Sequence, residues 1–161
     1  MGKIIHNGVQ ITREITSLSS ISARATSDGA STSAFGTVAI STDSQIFRFG
    51  NKFSLSSGNI IVGSEVSRIK VSGVLHAEFV NNSNSTAYDV GARIMQNNTG
   101  VGAPISMITL PPGATEDVSL PITPFVLQVT EGDIINIGVY SSTGNVTKTS
   151  KQWTYIFVEE A

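Results

Sequence analysis

Two histidines are the first residues to consider for acid–base or metal chemistry. His6 lies near the start of the chain, and His76 lies between Val74 and Glu78 in a stretch of alternating polarity. The order His76-Ala77-Glu78 matches the first half of a zinc-deaminase signature. The chain has no cysteine, however, and such a site needs a cysteine pair. We therefore interpret His76 as a surface or interface histidine.

Two pairs of neighbouring carboxylates are the other candidates for catalysis. Glu116-Asp117 follows a Pro-Pro-Gly turn, and Glu159-Glu160 lies at the end of the sequence. A polysaccharide depolymerase would need such a pair as acid and base, but these look like a solvated turn and a charged end. The sequence contains no Gly-x-Ser-x-Gly elbow, phosphate loop, dinucleotide fingerprint or calcium loop. We predict a protein that is not an enzyme and holds no cofactor or metal.

The composition favours strands over helices. Of 161 residues, 40% are apolar and only 14% are charged, whereas about 25% of an average soluble domain is charged. Serine and threonine, with 22 and 16 copies, replace the charged residues. These short hydroxyl side chains suit a β-rich surface, and they argue against a helical bundle because they are poor helix formers.

Charge and apolar runs limit the possible partners. Ten Lys and Arg against twelve Asp and Glu give a net charge of −2 with no basic run, so we expect no nucleic-acid binding. The longest apolar runs are only a few residues, too short to insert into a membrane. The first residues lack the apolar core of a signal peptide. We therefore expect synthesis in a cytoplasm without export by the general secretory route.

Period-two alternation defines the clearest strand, at 66–80. Its apolar face carries every second residue: Ile69, Val71, Gly73, Leu75, Ala77 and Phe79. Turn residues separate further predicted strands, which lie at 87–96, 104–109, 116–129, 133–140 and 152–159. Because helical crossovers are missing, a parallel α/β sheet is excluded. The pattern predicts an all-β, antiparallel sandwich or barrel.

The first 45 residues differ from the rest of the chain. Apolar residues spaced by three and four from Ile11 to Ala25 are compatible with the seam of a short coiled coil, and an extended arm is the alternative. Residues 26–45 are rich in Ser, Thr and Gly and read as a linker, with one short strand possible around Val38-Ala39-Ile40. We thus predict an N-terminal arm with linker at 1–45 and a head domain at 46–161.

The last predicted strand is apolar on both faces. Trp153, Tyr155 and Phe157 share one face, and Ile156 and Val158 share the other. A strand of this kind is covered on both sides, and in a domain this small only one cover is its own core. A row of exposed aromatic residues would be an unusually large apolar patch for a monomer. We predict that Trp153, Tyr155 and Phe157 form an oligomer interface.

Three segments give residues 46–159 a resemblance to a known family. They are Ile69-Lys70-Val71-Ser72-Gly73-Val74-Leu75, Val129-Thr130-Glu131-Gly132-Asp133-Ile134-Ile135-Asn136-Ile137 and Trp153-Thr154-Tyr155-Ile156-Phe157-Val158. They resemble an early long strand, a Gly-Asp hairpin and the aromatic final strand of the jelly-roll in the tumour necrosis factor and complement globular-head superfamily. The form resembled is that of bacteriophage fibre and receptor-binding tips. The opening, Lys3-Ile4-Ile5-His6-Asn7-Gly8, is similar to the start of many phage structural proteins.

This resemblance implies a homotrimer on the surface of a virion that is made in the cytoplasm of a host bacterium. Residues 1–45 would bind other virion proteins, and the jelly-roll head would project outward and adhere to host cell-surface polysaccharide. Sugar recognition uses aromatic and short polar side chains in a shallow cleft. Tyr140, Asn97, Asn98 and Asn145 are our candidate contacts, whereas Tyr88 suits the core better.

The main alternative is a capsid decoration or head-fibre protein of the same fold. Such a protein would use residues 1–45 to bind capsomers. In that case, removing these residues should abolish particle binding and lower capsid stability. A cytokine-like or complement-like cellular ligand is disfavoured because the sequence has neither a signal peptide nor cysteine.

Overall fold

The computed structural model describes the backbone of residues 4–6, 9–11, 18–102 and 106–161, and the side chains of the last two ranges. Every regular element in these ranges is a β-strand: β1 (Ile4–His6), β2 (Val9–Ile11), β3 (Ser20–Arg24), β4 (Gly36–Ala39), β5 (Ser44–Phe49), β6 (Phe53–Ser56), β7 (Asn59–Val62), β8 (Arg68–Asn81), β9 (Tyr88–Gln96), β10 (Thr99–Gly100), β11 (Ser106–Leu110), β12 (Thr115–Gln128), β13 (Ile134–Ser141), β14 (Val146–Ser150) and β15 (Tyr155–Glu160). All pairings between them are antiparallel, as the alternation in the sequence predicts.

Two sheets pack against each other in a sandwich. One has six strands in the order β12-β8-β15-β3-β5, with β14 also beside β8. The other has seven strands in the order β10-β9-β13-β7-β6, with β11 beside β9 and β4 beside β13. Strands β1 and β2 pair with each other as a separate hairpin. Neighbours in each sheet are often distant in sequence, so the topology is that of a jelly-roll rather than a meander.

The core lies between the sheets and contains the residues that the alternation predicts. Ile69, Val71, Leu75 and Phe79 of β8 are all fully buried. Val90, Ala92 and Ile94 of β9 are equally buried on the opposite sheet. Each Val, Ile, Leu or Phe side chain in this set contributes on the order of 1.5–3 kcal/mol by leaving water. The predicted face assignment of the long strand is therefore confirmed.

Residues 18–45 lie within the sandwich, although the sequence placed them in an arm and linker. Strand β3 sits between β15 and β5, and its Ile21 and Ala23 are completely buried. The helical interpretation of residues 11–25 is thus wrong for residues 20–24, because β15 offers Ile21 and Ala23 a core that an isolated helix lacks. Residues 12–17 lie outside the described residues.

The predicted linker also contributes strands. Strand β4, where the sequence suggested one short strand, pairs with β13. Thr32 forms an isolated bridge with Lys148, and β5 is the edge strand beside β3. Residues 18–45 are therefore part of the same sandwich as residues 46–161. An arm that attaches the chain to other proteins, as the sequence predicts, would therefore have to consist of residues before Leu18.

The acidic pairs also occupy strands. Glu116 and Asp117 lie in β12 opposite Phe79 and Glu78, and not in the expected turn. Glu159 and Glu160 end β15, where they make ion pairs of 2.8 Å with Lys70 and 3.0 Å with Lys52. No helix of the described chain is long and apolar enough to cross a bilayer.

Candidate functional site

The face of the six-stranded sheet that points away from the core is the most distinctive surface of the molecule. In β15, Ile156 and Val158 are fully buried in the core. Because side chains alternate along a strand, Tyr155 and Phe157 point to the other side. We call this side the outer face.

Three aromatic residues on the outer face form what we call the aromatic band: Phe47, Tyr155 and Phe157. Phe157 is in register with Ser22 of β3, and Ser22 is in register with Phe47 of β5. Phe47 is 50% exposed and Tyr155 is 38% exposed. Only the small Ser22 separates the two phenylalanines, so the aromatic band crosses three strands without a large side chain between its rings.

Trp153 lies at the end of this face, on the turn between β14 and β15. Its backbone has a positive φ of 72°, and its N–H donates to the carbonyl of Ala25 at 3.0 Å. The guanidinium carbon of Arg24 lies 4.3 Å from the centre of the Trp153 ring, within the range of a cation–π contact. The side chain nevertheless remains 57% exposed. The sequence placed Trp153 inside the final strand, whereas the strand begins two residues later.

A concave site of about 400 Å³ adjoins Trp153 where β8, β12 and this turn meet. We call it the Trp153 cleft, and its lining residues are Asp28, His76, Ala77, Asp117, Val118, Ser119, Lys151, Gln152 and Trp153. Within it, Nδ1 of His76 and the hydroxyl of Ser119 share a hydrogen bond of 2.8 Å. Oδ1 of Asp28 accepts the N–H of Gln152 at 2.8 Å, which fixes the Asp28 loop to the turn. The prediction that His76 lies at the surface thus agrees with its place in the cleft.

Carboxylates dominate the charge around this cleft. Nζ of Lys151 lies 3.5 Å from Oδ2 of Asp28 and 3.6 Å from Oε2 of Glu78. Partial burial by itself lowers the pKa of Lys151, but the negative charges of Glu78 and Asp28 outweigh burial and raise the pKa. Asp117 adds a third carboxylate. Among the described residues, three carboxylates therefore meet two cations, Lys151 and the Arg24 beside the Trp153 ring, and the surroundings of the cleft are net negative.

Asn97 and Asn98 occupy the turn between β9 and β10, with positive φ values of 52° and 62°. Nδ2 of Asn97 donates to Oδ1 of Asp133 at 2.7 Å, and its Oδ1 accepts the N–H of Ile134 at 2.9 Å. Burial alone raises the pKa of Asp133, but hydrogen bonds from Asn97, Thr130 and Gln96 outweigh burial and lower it. Asn97 therefore joins two turns of the seven-stranded sheet.

Asn145 and Tyr140 lie elsewhere. Nδ2 of Asn145 donates to the hydroxyl of Tyr88 at 3.1 Å, and Tyr88 is the first residue of β9. Tyr140 is half-buried in β13, opposite Gly91. Asn97 follows the last residue of β9, so roughly 30 Å of strand, at about 3.3 Å per residue, separates it from Asn145. The four predicted ligand contacts therefore do not converge on one cleft.

The cleft brings together residues that the sequence analysis did not connect. Asp28 and Gln152 are 124 positions apart, and Ser119 meets His76 only because β12 pairs with β8 in that register. No short motif contains these residues. The single tryptophan was therefore the one feature of the sequence that pointed to a binding surface here. Among the residues that the structure describes, no group of three or more His, Asp or Glu side chains is placed to hold a metal ion.

Comparisons with known proteins support the fold. No protein-family model and no curated protein sequence matches the chain. The crystal structure of murine APRIL at pH 8.0 aligns with a TM-score of 0.53 at 12% identity, covering 89% of this chain and 99% of that one. The pH 5.0 structure of murine APRIL gives the same TM-score and coverage at 9% identity.

The vertex protein P5 of PRD1 aligns at a TM-score of 0.43 and 15% identity, covering 88% of this chain and 96% of that one. The APRIL alignments, with identities of 12% and 9%, show the fold alone. The predicted all-β jelly-roll sandwich with a TNF-like fold is thereby confirmed.

Proposed function

We propose that this chain is a non-enzymatic structural protein on the surface of a phage virion. It assembles as a homotrimer, attaches through the residues that precede the sandwich, and adheres to glycan on the host cell. The trimer and the virion surface come from the resemblance of the strands to phage fibre and receptor-binding tips. The observation that carries the proposal is the aromatic band on the outer face of a TNF-like jelly-roll.

The aromatic band is suited to association with further copies of the chain. Phe47, Tyr155 and Phe157 span three neighbouring strands, and no strand of the described chain covers them. Exposed apolar patches of this kind mark interaction sites. Aromatic residues at the centre of an interface contribute a large share of its binding energy. Tyr155 and Phe157 form the centre of the proposed trimer contact, and Trp153 lies at its rim.

Light scattering on the full chain is the test of assembly. We expect a mass of about 51 kDa, three times the 16.9 kDa of one chain. The double variant Tyr155→Ser/Phe157→Ser should remain folded, because both side chains are partly exposed in the single chain, and should be monomeric. Loss of two central aromatic residues removes several kcal/mol per interface, on the order of 2 kcal/mol or more for each.

Phe35→Ser is the matched control, because Phe35 is a 74% exposed aromatic residue outside the band. It should remain trimeric. A monomeric wild-type chain, or a double variant that keeps the trimer mass, would contradict the proposed interface.

The place on the virion has its own test. Antibodies against the full chain should label phage particles in immunogold electron microscopy. Particles from a phage whose copy of the gene lacks residues 1–17 should carry no label, although the truncated chain is still made. Label that persists on these particles would refute attachment by this segment. Label on the capsid, together with lower capsid stability in the truncated phage, would favour the decoration alternative over host adhesion.

A further inference from the structure

Trp153 has a backbone conformation that its residue type disfavours. A φ of 72° lies in the left-handed region, which glycine and asparagine adopt far more easily than a bulky residue. The indole is not used to fill the core, since it is 57% exposed. Strained residues of this kind cluster at ligand-binding positions. The strain and the exposure together indicate that the side chain is held there for a contact outside the chain.

The indole contacts the Arg24 guanidinium and borders two concave sites. It lines the Trp153 cleft on one side and, on the other, a smaller pocket of about 120 Å³ that contains Arg24, Ala25 and Thr26. The Arg24 guanidinium stacks 4.3 Å from the ring centre. A fixed aromatic surface binds a flat ligand without the entropic cost of ordering a mobile side chain.

The rest of the cleft supplies hydrogen-bonding groups around this aromatic surface. Asp117 and Ser119 lie on the exposed side of β12, His76 lies opposite Ser119 on β8, and Gln152 is exposed on the turn. A pyranose ring has an apolar C–H face and a rim of hydroxyl groups. An aromatic plate beside carboxylate, hydroxyl, imidazole and amide groups matches that distribution. A volume of about 400 Å³ is within the lower range of small-molecule sites.

The charge of the cleft selects among saccharides. Among the described residues, the three carboxylates of Asp28, Glu78 and Asp117 outnumber the cations of Lys151 and Arg24. A phosphate or carboxylate group would therefore be repelled, whereas hydroxyl and amino groups find acceptors. We infer that the Trp153 cleft binds a saccharide unit that offers hydroxyl or amino donors and carries no negative charge. This inference rests on the proposed glycan adhesion and names its site and ligand class.

The chain contains one tryptophan, and it lines this cleft, so a ligand bound in the cleft should change its fluorescence. The full chain is titrated with three probes: an N-acetylglucosamine tetramer, a glucosamine tetramer and an anionic galacturonate tetramer. We expect the Trp153 emission to shift with at least one of the first two probes and not with the third. Calorimetry with the same probes gives the affinities of the variants.

Two variants test the cleft from opposite sides. Trp153→Gly removes the indole and supplies a residue that prefers this φ, so the chain should fold. The trimer should persist, because Trp153 lies at the rim of the proposed contact and not at its centre. Ser119→Arg fills the cleft from an exposed strand position. Each should weaken saccharide binding by more than about tenfold. Phe35→Ser, at an exposed aromatic residue outside the cleft, should leave the affinity unchanged.

Four results would overturn the inference. Binding that survives in both cleft variants places glycan adhesion on another surface and leaves the proposed adhesive function intact. The ligand class is refuted if the wild-type chain binds neither of the two non-anionic probes. It is also refuted if the galacturonate tetramer binds equally well. Dissociation of the trimer in Trp153→Gly assigns the indole to the subunit interface instead of to a ligand.

Discussion

Replacing Lys148 with alanine is expected to lower the free energy of unfolding by about 3–5 kcal/mol. Lys148 is fully buried in β14. Its Nζ donates to the carbonyls of Ala34 and Gly36 at 2.8 and 2.5 Å, and to the hydroxyl of Ser141 at 3.0 Å. Alanine would leave a cavity where the lysine stem was and would deprive three acceptors of their donor. Urea denaturation of the monomeric Tyr155→Ser/Phe157→Ser background measures the change without assembly.

Two further substitutions separate the causes. Lys148→Met keeps the bulk of the stem and removes only the ammonium, so we expect a smaller loss of about 1–2 kcal/mol. Lys70→Ala breaks a surface ion pair with Glu159, where the lysine side chain is 48% exposed, and should cost less than about 1 kcal/mol. If Lys148→Ala is no less stable than Lys70→Ala, Lys148 does not hold residues 34–36 against β14.

The same lysine predicts a pH dependence with a defined sign. Burial lowers the pKa of Lys148 from 10.5 to about 8. Between these values the unfolded chain binds more protons at this site than the folded chain, so stability rises with pH. The wild type should gain, relative to Lys148→Met, on the order of 3 kcal/mol as pH increases from 8 to 10.5. A flat difference between the two proteins over this range would show that the ammonium is not desolvated.

Gly73→Ala is the second substitution with a large expected effect, a loss of about 3 kcal/mol or more. Gly73 lies in the middle of β8, paired with Ile156 of β15. A Cβ at this position would overlap the backbone carbonyl oxygen of Tyr155 and lie 3.2 Å from the Cα of Ile156. The strands are held about 4.8 Å apart by hydrogen bonds, so the backbone cannot move away without breaking the ladder.

Propensity alone predicts the opposite sign at Gly73. Alanine in a strand interior is normally more stable than glycine by about 0.5–1 kcal/mol, because glycine loses more chain entropy. The comparison therefore tests the close approach of β8 and β15 directly. Ser54→Ala, at an exposed strand position, is the control and should change stability by less than about 0.5 kcal/mol. Urea denaturation measures both variants. If Gly73→Ala has the same denaturation midpoint as Ser54→Ala, the close spacing of β8 and β15 is contradicted.

The sequence by itself determined the strands whose signal is local. The alternation from Ile69 to Phe79 identifies β8 and its buried face, because side chains alternate strictly along a strand whatever its partner. Turn residues such as Gly132-Asp133 locate the breaks for the same local reason. The all-β class, the antiparallel arrangement and the apolar outer side of β15 follow from these patterns.

Only the tertiary structure decided which residues the strands bring together. Ile21 fits a helical seam as well as a strand, and pairing with β15, more than 130 positions later, made it part of a strand. Nothing in the Thr-rich segment around Lys148 indicates that this lysine is buried. Its burial depends on distant residues, since its Nζ donates to the carbonyls of Ala34 and Gly36. Such pairings depend on contacts between distant segments, which no local period encodes.

The Trp153 cleft was decided in the same way. Its aromatic residue was visible in the sequence, but it was placed in a strand with Tyr155 and Phe157. The turn rotates Trp153 away from that row by its positive φ, and the register of β8 and β12 sets His76 beside Ser119. Backbone conformation at one residue and the register between two strands are properties of the folded chain, because each is fixed by hydrogen bonds to distant neighbours.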